Sequence, residues 1–478
     1  MNFLFVHQNF PGQYVHIIRS LLADNAVRDG THQIVFMSEP NRNNMQGVRK
    51  VTYSRPPEVS AAVHLDAREF ESATRRGHAA YAGAAQIKAL GFAPDIIIGH
   101  HGWGEMLSLV DVFPRVPLLG YFEFYYRILG TDVNFDPEFT MPEARYSIVR
   151  GKNTVNLLAL ALEQYGQTPT QWQHSIYPAW AQKQIRIIEE GVDLEICKAD
   201  PAVFEKTVTV GELTVTPEQK LVTFVARNLE PYRGFHTLMR ALPKILEVLP
   251  DAIVSVVGGD EVSYGAPPPT GNWREMMLKE VGDRLDLSRV HFMGKVPYGE
   301  HMTLLKRSDA HIYLSYPFVA SWSLREALAT GCVVIGGDTP TVTEFVKHQQ
   351  NGLVVPALDP DAIADAVVNV LKDGKLSAAL RAGARAFAEK HLDMKDYIAR
   401  YRAYIEEITG KQLVPPVVET KPVAVKKAET KPVKDAAKKP VAVKKPTVIA
   451  KAKTVKKPMP AAKTTAKAPA KTIKRRAA

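Results

Sequence analysis

The chain has 478 residues, 46% of them apolar, which is enough for two or three domains with real cores. Its two cysteines, Cys197 and Cys332, lie far apart and exclude a disulfide framework, and no run approaches the ~20 apolar residues that a membrane span needs. The net charge of +11 is unevenly held: from Lys411 onward 18 Lys and 2 Arg face three acids, a balance of +17, which leaves −6 on residues 1–410.

The first residues, Met1-Asn-Phe-Leu-Phe-Val6, are a short apolar run without a basic n-region or a cleavage-like site and read as a first strand, not a signal peptide. A reducing cytoplasm is the expected compartment. The strand leads through Gln8-Asn-Phe-Pro-Gly12 into a helix at 14–24, with further strands at 33–37, 94–98 and 116–122 and a helix over 69–90. Strands alternating with helices predict a parallel sheet covered on both faces, with ligands beyond the carboxyl ends of its strands. Thr168-Pro-Thr170 starts a capped helix, 184–188 is a strand, and Glu190-Gly-Val-Asp193 is a turn that we take as the lobe boundary.

After Asp193 the alternation starts again. A strand at 221–225 runs into Ala226-Arg-Asn-Leu-Glu-Pro-Tyr-Arg-Gly234 and a helix over 235–249; strands follow at 253–257, 290–293 and 310–314. The stretch from Ser315 to Gly337 then reads as a loop, a short helix beginning at Ser323-Leu-Arg-Glu326 and ended by Gly331, and a buried strand over 333–335, with Cys332 a small core residue beside it. A helix N-terminus at the end of a parallel strand is an anion-binding corner. Glu326 has two readings from the residues alone, the acid of a Ser323-x-x-Glu326 capping box or a ligand contact. An amphipathic segment at 361–371 and a charged helix at 394–408 close the globular part. The remaining Lys, Ala, Pro, Val and Thr, with the repeated words VAVKKA, VAVKKP and TVKKP, predict a disordered basic tail over 411–478.

His100 and His101 end the 95–98 strand at the ligand edge, and His100 is the better cleft contact of the two. Adjacent histidines point different ways and no third ligand is near in sequence, so no zinc site is expected. Neither half carries a GxGxxG fingerprint, which argues against a dehydrogenase.

The start Phe5-Val-His-Gln-Asn-Phe-Pro-Gly12, the Ser175–Asp193 passage, Arg227-Asn-Leu-Glu-Pro-Tyr-Arg-Gly234 and the 315–337 stretch, in this order, resemble the family-4 glycosyltransferases of the two-lobed GT-B fold over residues 1 to about 408. The resemblance implies two Rossmann-like lobes facing across a cleft: an acceptor-side lobe over 1–193, a nucleotide-sugar lobe over 194–392, and a terminal helix over 393–410 packing back on the first lobe. It implies a retaining transferase that uses a nucleotide-sugar donor and a glycan or lipid-linked acceptor in polysaccharide or cell-envelope biosynthesis, with no metal and no cofactor. Arg227 and Arg233 fall where the family grips the donor diphosphate, and Glu326 where it meets ribose hydroxyls. Val319, Ala320, Ser321, Trp322 and Ser323 would offer backbone N–H groups to the diphosphate, faced by Gly12 from the other lobe. Two positions depart from the family. Phe318 stands where an acid is expected against the donor sugar, and Glu123 stands for a strand-end His; Glu123 either serves the reacting sugar or pairs with Arg127.

The expected location is cytoplasmic, including a peripheral position at the inner membrane surface. Two alternatives stay open: a nucleotide-sugar-binding protein without turnover, suggested by Phe318, and a protein tethered by its tail to an anionic surface such as nucleic acid, membrane or acidic polysaccharide.

Overall fold

The computed structural model describes residues 1–162 and 164–413. The expectations for the basic tail fall almost wholly on 414–478 and lie outside the described residues. The rest is α/β, built on two parallel sheets.

The first sheet contains β1 (Asn2–Val6), β2 (Gln33–Ser38), β3 (Val48–Thr52), β4 (Ile96–His100), β5 (Leu118–Tyr121), β6 (Tyr165–Thr168) and β7 (Ile185–Ile187) in the order β3-β2-β1-β4-β5-β6-β7. A small antiparallel hairpin, β8 (Val208–Val210) and β9 (Leu213–Val215), precedes the second sheet. That sheet contains β10 (Lys220–Asn228), β11 (Ala252–Gly259), β12 (Val290–Gly294), β13 (Ala310–Tyr313), β14 (Val334–Gly337) and β15 (Gly352–Val355) in the order β12-β11-β10-β13-β14-β15. Each lobe enters its sheet in the middle and reverses direction there, beside β1 and β4 in one and β10 and β13 in the other. Such reversals open a crevice at the strand ends. Runs such as Phe3-Leu4-Phe5-Val6 are fully buried because helices cover both faces of a parallel sheet.

Gly234 has φ +76° and ends the turn after β10, and a Cβ there would lie 2.2 Å from the Leu314 Cβ. Only glycine lets the helix Phe235–Val248 start so close to the end of β13. The helix Met394–Thr409 leaves the second lobe and buries Tyr397, Tyr401, Tyr404 and Ile405 against Phe3, Phe5 and Tyr14 of the first. Its Arg402 guanidinium donates to buried Asp24 at 2.9 Å. The two chain crossings run side by side, with the Val192 N–H donating to the Leu392 carbonyl at 2.8 Å and the Met394 N–H to the Val192 carbonyl at 3.1 Å.

The lobes also meet along a seam. A strap of the first lobe, residues 131–139, leans on the second: the Tyr232 hydroxyl donates to Asp132 at 2.8 Å, and Asp136 accepts from His236 Nε2 at 2.9 Å and from the Tyr316 hydroxyl. Phe135 packs on Tyr316, and Phe139 on His236 and Trp273. In the other direction, the Glu344 carboxylate accepts the N–H groups of Gln171 at 2.7 Å and Trp172 at 2.9 Å, where the helix Gln171–Ser175 exposes unpaired donors.

Candidate active site

The second-lobe half is the loop that follows β13 and the helix Trp322–Ala329. Ser321, in extended conformation, caps this helix by accepting the Ser323 N–H at 3.2 Å, and its own N–H donates to the Tyr313 hydroxyl at 2.7 Å. The Ser323-x-x-Glu326 capping box is therefore corrected: the cap lies two residues earlier, so the position three residues on from it is Leu324, which has no carboxylate to reach back. Glu326 sits one turn deeper and accepts from His301 Nε2 at 2.8 Å, with both residues buried.

Arg233 is buried and donates through Nη1 to the Ser315 hydroxyl and the Val319 carbonyl, each at 2.8 Å. It thus ties the turn after β10 to the loop that runs into the helix tip. Arg227, near the end of β10, is exposed, and its side chain makes no hydrogen bond or ion pair with another described residue. The structure brings Arg233 to Val319 and leaves Arg227 out of that contact.

Phe318 is 6% exposed and packs on Phe124 of the first lobe, with ring centroids 4.6 Å apart, and on Tyr232 and Tyr264 of its own lobe. An acid is expected here from the resemblance; the aromatic neighbours account for the phenyl ring, since a carboxylate among them would lose its solvation without a partner. Val319 continues this apolar wall, Ala320 packs instead in the core with Tyr313 and Leu324, and Trp322 donates from Nε1 to Glu190 of the lobe boundary at 2.8 Å.

Three strand ends make the first-lobe half. His7 follows β1, His100 ends β4, and Glu123 lies just beyond β5. His100 Nδ1 accepts the Gly102 N–H at 2.9 Å, so its Nε2 carries the proton and lies 3.4 Å from the Glu123 carboxylate. Burial raises the Glu123 carboxyl, but the hydrogen bond from His100 and the nearby Arg233 guanidinium outweigh it and hold the group below its ordinary value. The alternative pairing with Arg127 does not form. Burial, reinforced by His100, pushes His7 down to about 4, so it is neutral near pH 7.

Gly12 has φ +56°, and a Cβ there would come within 3.0 Å of His7 Nδ1. The turn that it opens faces the helix tip, where the rings of His16 and Trp322 lie 6.0 Å apart. His101 is a correction. It is 1% exposed, packs on Phe122 at 4.6 Å, and neither ring nitrogen has a partner, so it is a core side chain and not a cleft contact. His100, also buried, ends β4 and instead lies beside His7 and Glu123, whereas His101 already belongs to the short turn that follows the strand.

Sequence reasoning gave no role to His301, Glu230 or Tyr264. Glu230 was visible inside the Arg227–Gly234 words, but its partners lie more than thirty residues away. The gathering of potential metal ligands among the described residues, Asp136, Glu138 and His236, lies in the seam and is committed elsewhere, Asp136 to Tyr316 and His236 and Glu138 to Arg240. Among the described residues no helix is long and apolar enough to cross a membrane.

Residues 30–197 match the family described as "Glycosyl transferase family 4 group" and residues 212–387 that described as "Glycosyl transferases group 1". A D-inositol 3-phosphate glycosyltransferase of Corynebacterium urealyticum is 27% identical over 234 residues, 48% of this chain and 50% of that protein. A GDP-mannose-dependent alpha-(1-6)-phosphatidylinositol monomannoside mannosyltransferase of Mycobacterium tuberculosis is 28% identical over 300 residues, 59% of this chain and 69% of that protein. The chain spans about half the length of the first of these curated relatives. In fold it is similar to sucrose-phosphate synthase from Thermosynechococcus elongatus, with a TM-score of 0.65 and 17% identity over 86% of this chain and 99% of that one. It is also similar to Anabaena HepE in complex with UDP and glucose, with a TM-score of 0.56 and 15% identity over 85% and 100%.

Proposed function

This chain belongs to the group 1 glycosyltransferases, and on that premise we propose that it moves a sugar from a nucleotide-sugar donor to a glycan or lipid-linked acceptor, retains the anomeric configuration and needs no metal. The single observation that carries the reading is Arg233. It is a buried cation fastened to the loop before a capped helix tip, at the crevice of the second sheet.

The leaving group of such a transfer is a nucleoside diphosphate, on which negative charge grows as the bond to the sugar breaks. Arg233, fixed before the reaction starts, stabilises that charge without reorganisation, and Arg227, whose exposed side chain is not tied down, adds a second cation, the part a metal ion plays elsewhere. The N–H groups of the Val319–Ser323 loop and the positive end of the helix act on the same phosphates. Glu326, oriented by His301, takes the ribose hydroxyls. Positive charge grows at the same time on the sugar, and Glu123, held ionised by His100, faces it from the first lobe. Gly12 lets the first-lobe turn close over the phosphates.

HepE is complexed with UDP and glucose and the mycobacterial relative is GDP-mannose-dependent, so both donor bases belong in an assay. The relatives named for inositol phosphate and phosphatidylinositol support a cell-envelope acceptor reached from the membrane surface. The test is transfer or hydrolysis across UDP-, GDP- and ADP-sugars with and without EDTA, with the product anomer read by NMR. A retained anomer formed in EDTA supports the proposal; an inverted anomer, or activity abolished by EDTA, overturns it. Phe318, buried in an interlobe contact, favours one other reading, a binding protein without turnover, which predicts donor affinity and no product.

A further inference from the structure

Glu230 is 0% exposed, yet it is not paired with a cation. Its carboxylate accepts three successive backbone N–H groups: that of Ser263 on both oxygens at 3.2 and 3.3 Å, and those of Tyr264 at 3.1 Å and Gly265 at 3.0 Å on Oε2. A carboxylate taken wholly out of water is tolerated only when such donors replace its hydration. The loop after β11 is therefore folded around this one group, and Trp273 ties its far end by donating from Nε1 to the Ala266 carbonyl at 3.2 Å.

The loop presents Tyr264. Its ring lies 5.0 Å from the Arg233 guanidinium carbon and 4.9 Å from the Phe318 ring. Phe318 and Phe124 are closed off at 6% and 5% exposure, whereas Tyr264 is 37% exposed, so of these three rings it is the one that offers a face to a ligand. Through Phe318 the ring connects to Phe124 of the first lobe, the residue after Glu123, whereas Glu326 pairs with His301 within the second lobe. On the donor reading, with Glu326 at the ribose and Glu123 at the reacting sugar, the Tyr264 side of Arg233 is the glycosyl side.

We propose that the exposed ring of Tyr264 is the second-lobe platform for the glycosyl unit of the donor, held in position by the buried Glu230 carboxylate. The inference rests on the donor reading given above. A pyranose lays its C–H face on an aromatic ring and leaves its hydroxyls at the edge, where the Tyr264 hydroxyl serves as partner, and an aromatic ring of two torsions held at its backbone loses little entropy on binding. Glu230 acts only through Tyr264 and is a positioning residue.

The experiment compares affinity for UDP, GDP and ADP with that for UDP-glucose, GDP-mannose and ADP-glucose by calorimetry, in wild type, Tyr264→Ala, Tyr264→Phe and Glu230→Gln. The expected result is that Tyr264→Ala lowers the preference for nucleotide-sugar over nucleotide about fivefold, with nucleotide affinity unchanged, and that Tyr264→Phe restores most of it. Glu230→Gln shifts the same ratio in the same direction. Equal weakening of nucleotide and nucleotide-sugar by Tyr264→Ala, or no change, overturns the proposal, whether or not Glu230→Gln folds. Failure of the wild type to bind any of these ligands is a different result and removes the donor reading itself.

Discussion

The Arg233 guanidinium and the Val319 carbonyl, 2.8 Å apart, join the turn that follows β10 to the loop that feeds the helix Trp322–Ala329. One side chain thereby sets both the shape of the candidate phosphate site and its charge. The two roles separate by mutation. Arg233→Gln leaves the Ser315 hydroxyl and the Val319 carbonyl without their donor, a loss of about 1–3 kcal/mol of stability, and also weakens donor turnover by about 10²–10³-fold. Arg227→Ala, which breaks no side-chain hydrogen bond or ion pair, lowers turnover at an unchanged melting temperature. Thermal melts beside initial rates check both; a melting loss in the Arg227 variant would contradict the assignment.

Glu326 and His301 form the second pair on which the site depends. Glu326→Ala strands a buried imidazole and removes the proposed ribose contact, so stability should drop by about 1–3 kcal/mol and nucleotide affinity fall with it. His301→Gln, which can still donate to the carboxylate, keeps most of that affinity. Calorimetry with the nucleoside alone, without phosphates, distinguishes this from an effect on the Arg233 loop.

The lobe seam predicts a change in shape. Burial raises the Asp136 carboxyl, but its hydrogen bonds from His236 and Tyr316 prevail and hold it at about 2. Asp136→Ala leaves the buried Tyr316 hydroxyl without its acceptor and His236 Nε2 with only the Thr237 hydroxyl at 3.3 Å, costs about 1–3 kcal/mol, and loosens the 131–139 strap. Small-angle scattering should show a larger radius of gyration for this variant, and an unchanged radius would mean that the two chain crossings alone hold the lobes.

How far the sequence reaches is clearest at three places. The strands and helices that build both crevices announce themselves through apolar runs and their breakers, as in Ile96-Ile97-Ile98 or the Gly234 turn, because burial on two faces leaves little freedom of composition. The seam is silent in sequence: Asp132 and Asp136 meet partners about a hundred residues away, and no local pattern encodes such a pairing. The site falls between. Arg233 and Glu326 are legible from the words around them, while the cap on Ser321, the burial of His101 and the hold of Glu230 on Tyr264 depend on where a backbone turns and what lies across the lobe.

Buried neutral histidines give the fold an acid limb. His101 is pushed down to about 3 and His7 to about 4, chiefly by burial, from an ordinary value of 6.5, so the unfolded chain binds the extra protons first. Stability is full above pH 6.5 and falls below it, by up to ~1.4 kcal/mol per pH unit for each such group, until the folded-state values are reached. His101→Leu should remove one proton from that slope between pH 6 and 4.5 in urea unfolding; an unchanged slope would place the titration elsewhere.

The central claim is that Arg233 and the Val319–Ser323 loop hold the diphosphate of a sugar donor. Titration of UDP-glucose, GDP-mannose and ADP-glucose into wild type and Arg233→Gln tests it most directly. At least one donor should bind the wild type and lose tenfold or more in the variant. Binding of none, or equal binding to both proteins, would contradict it.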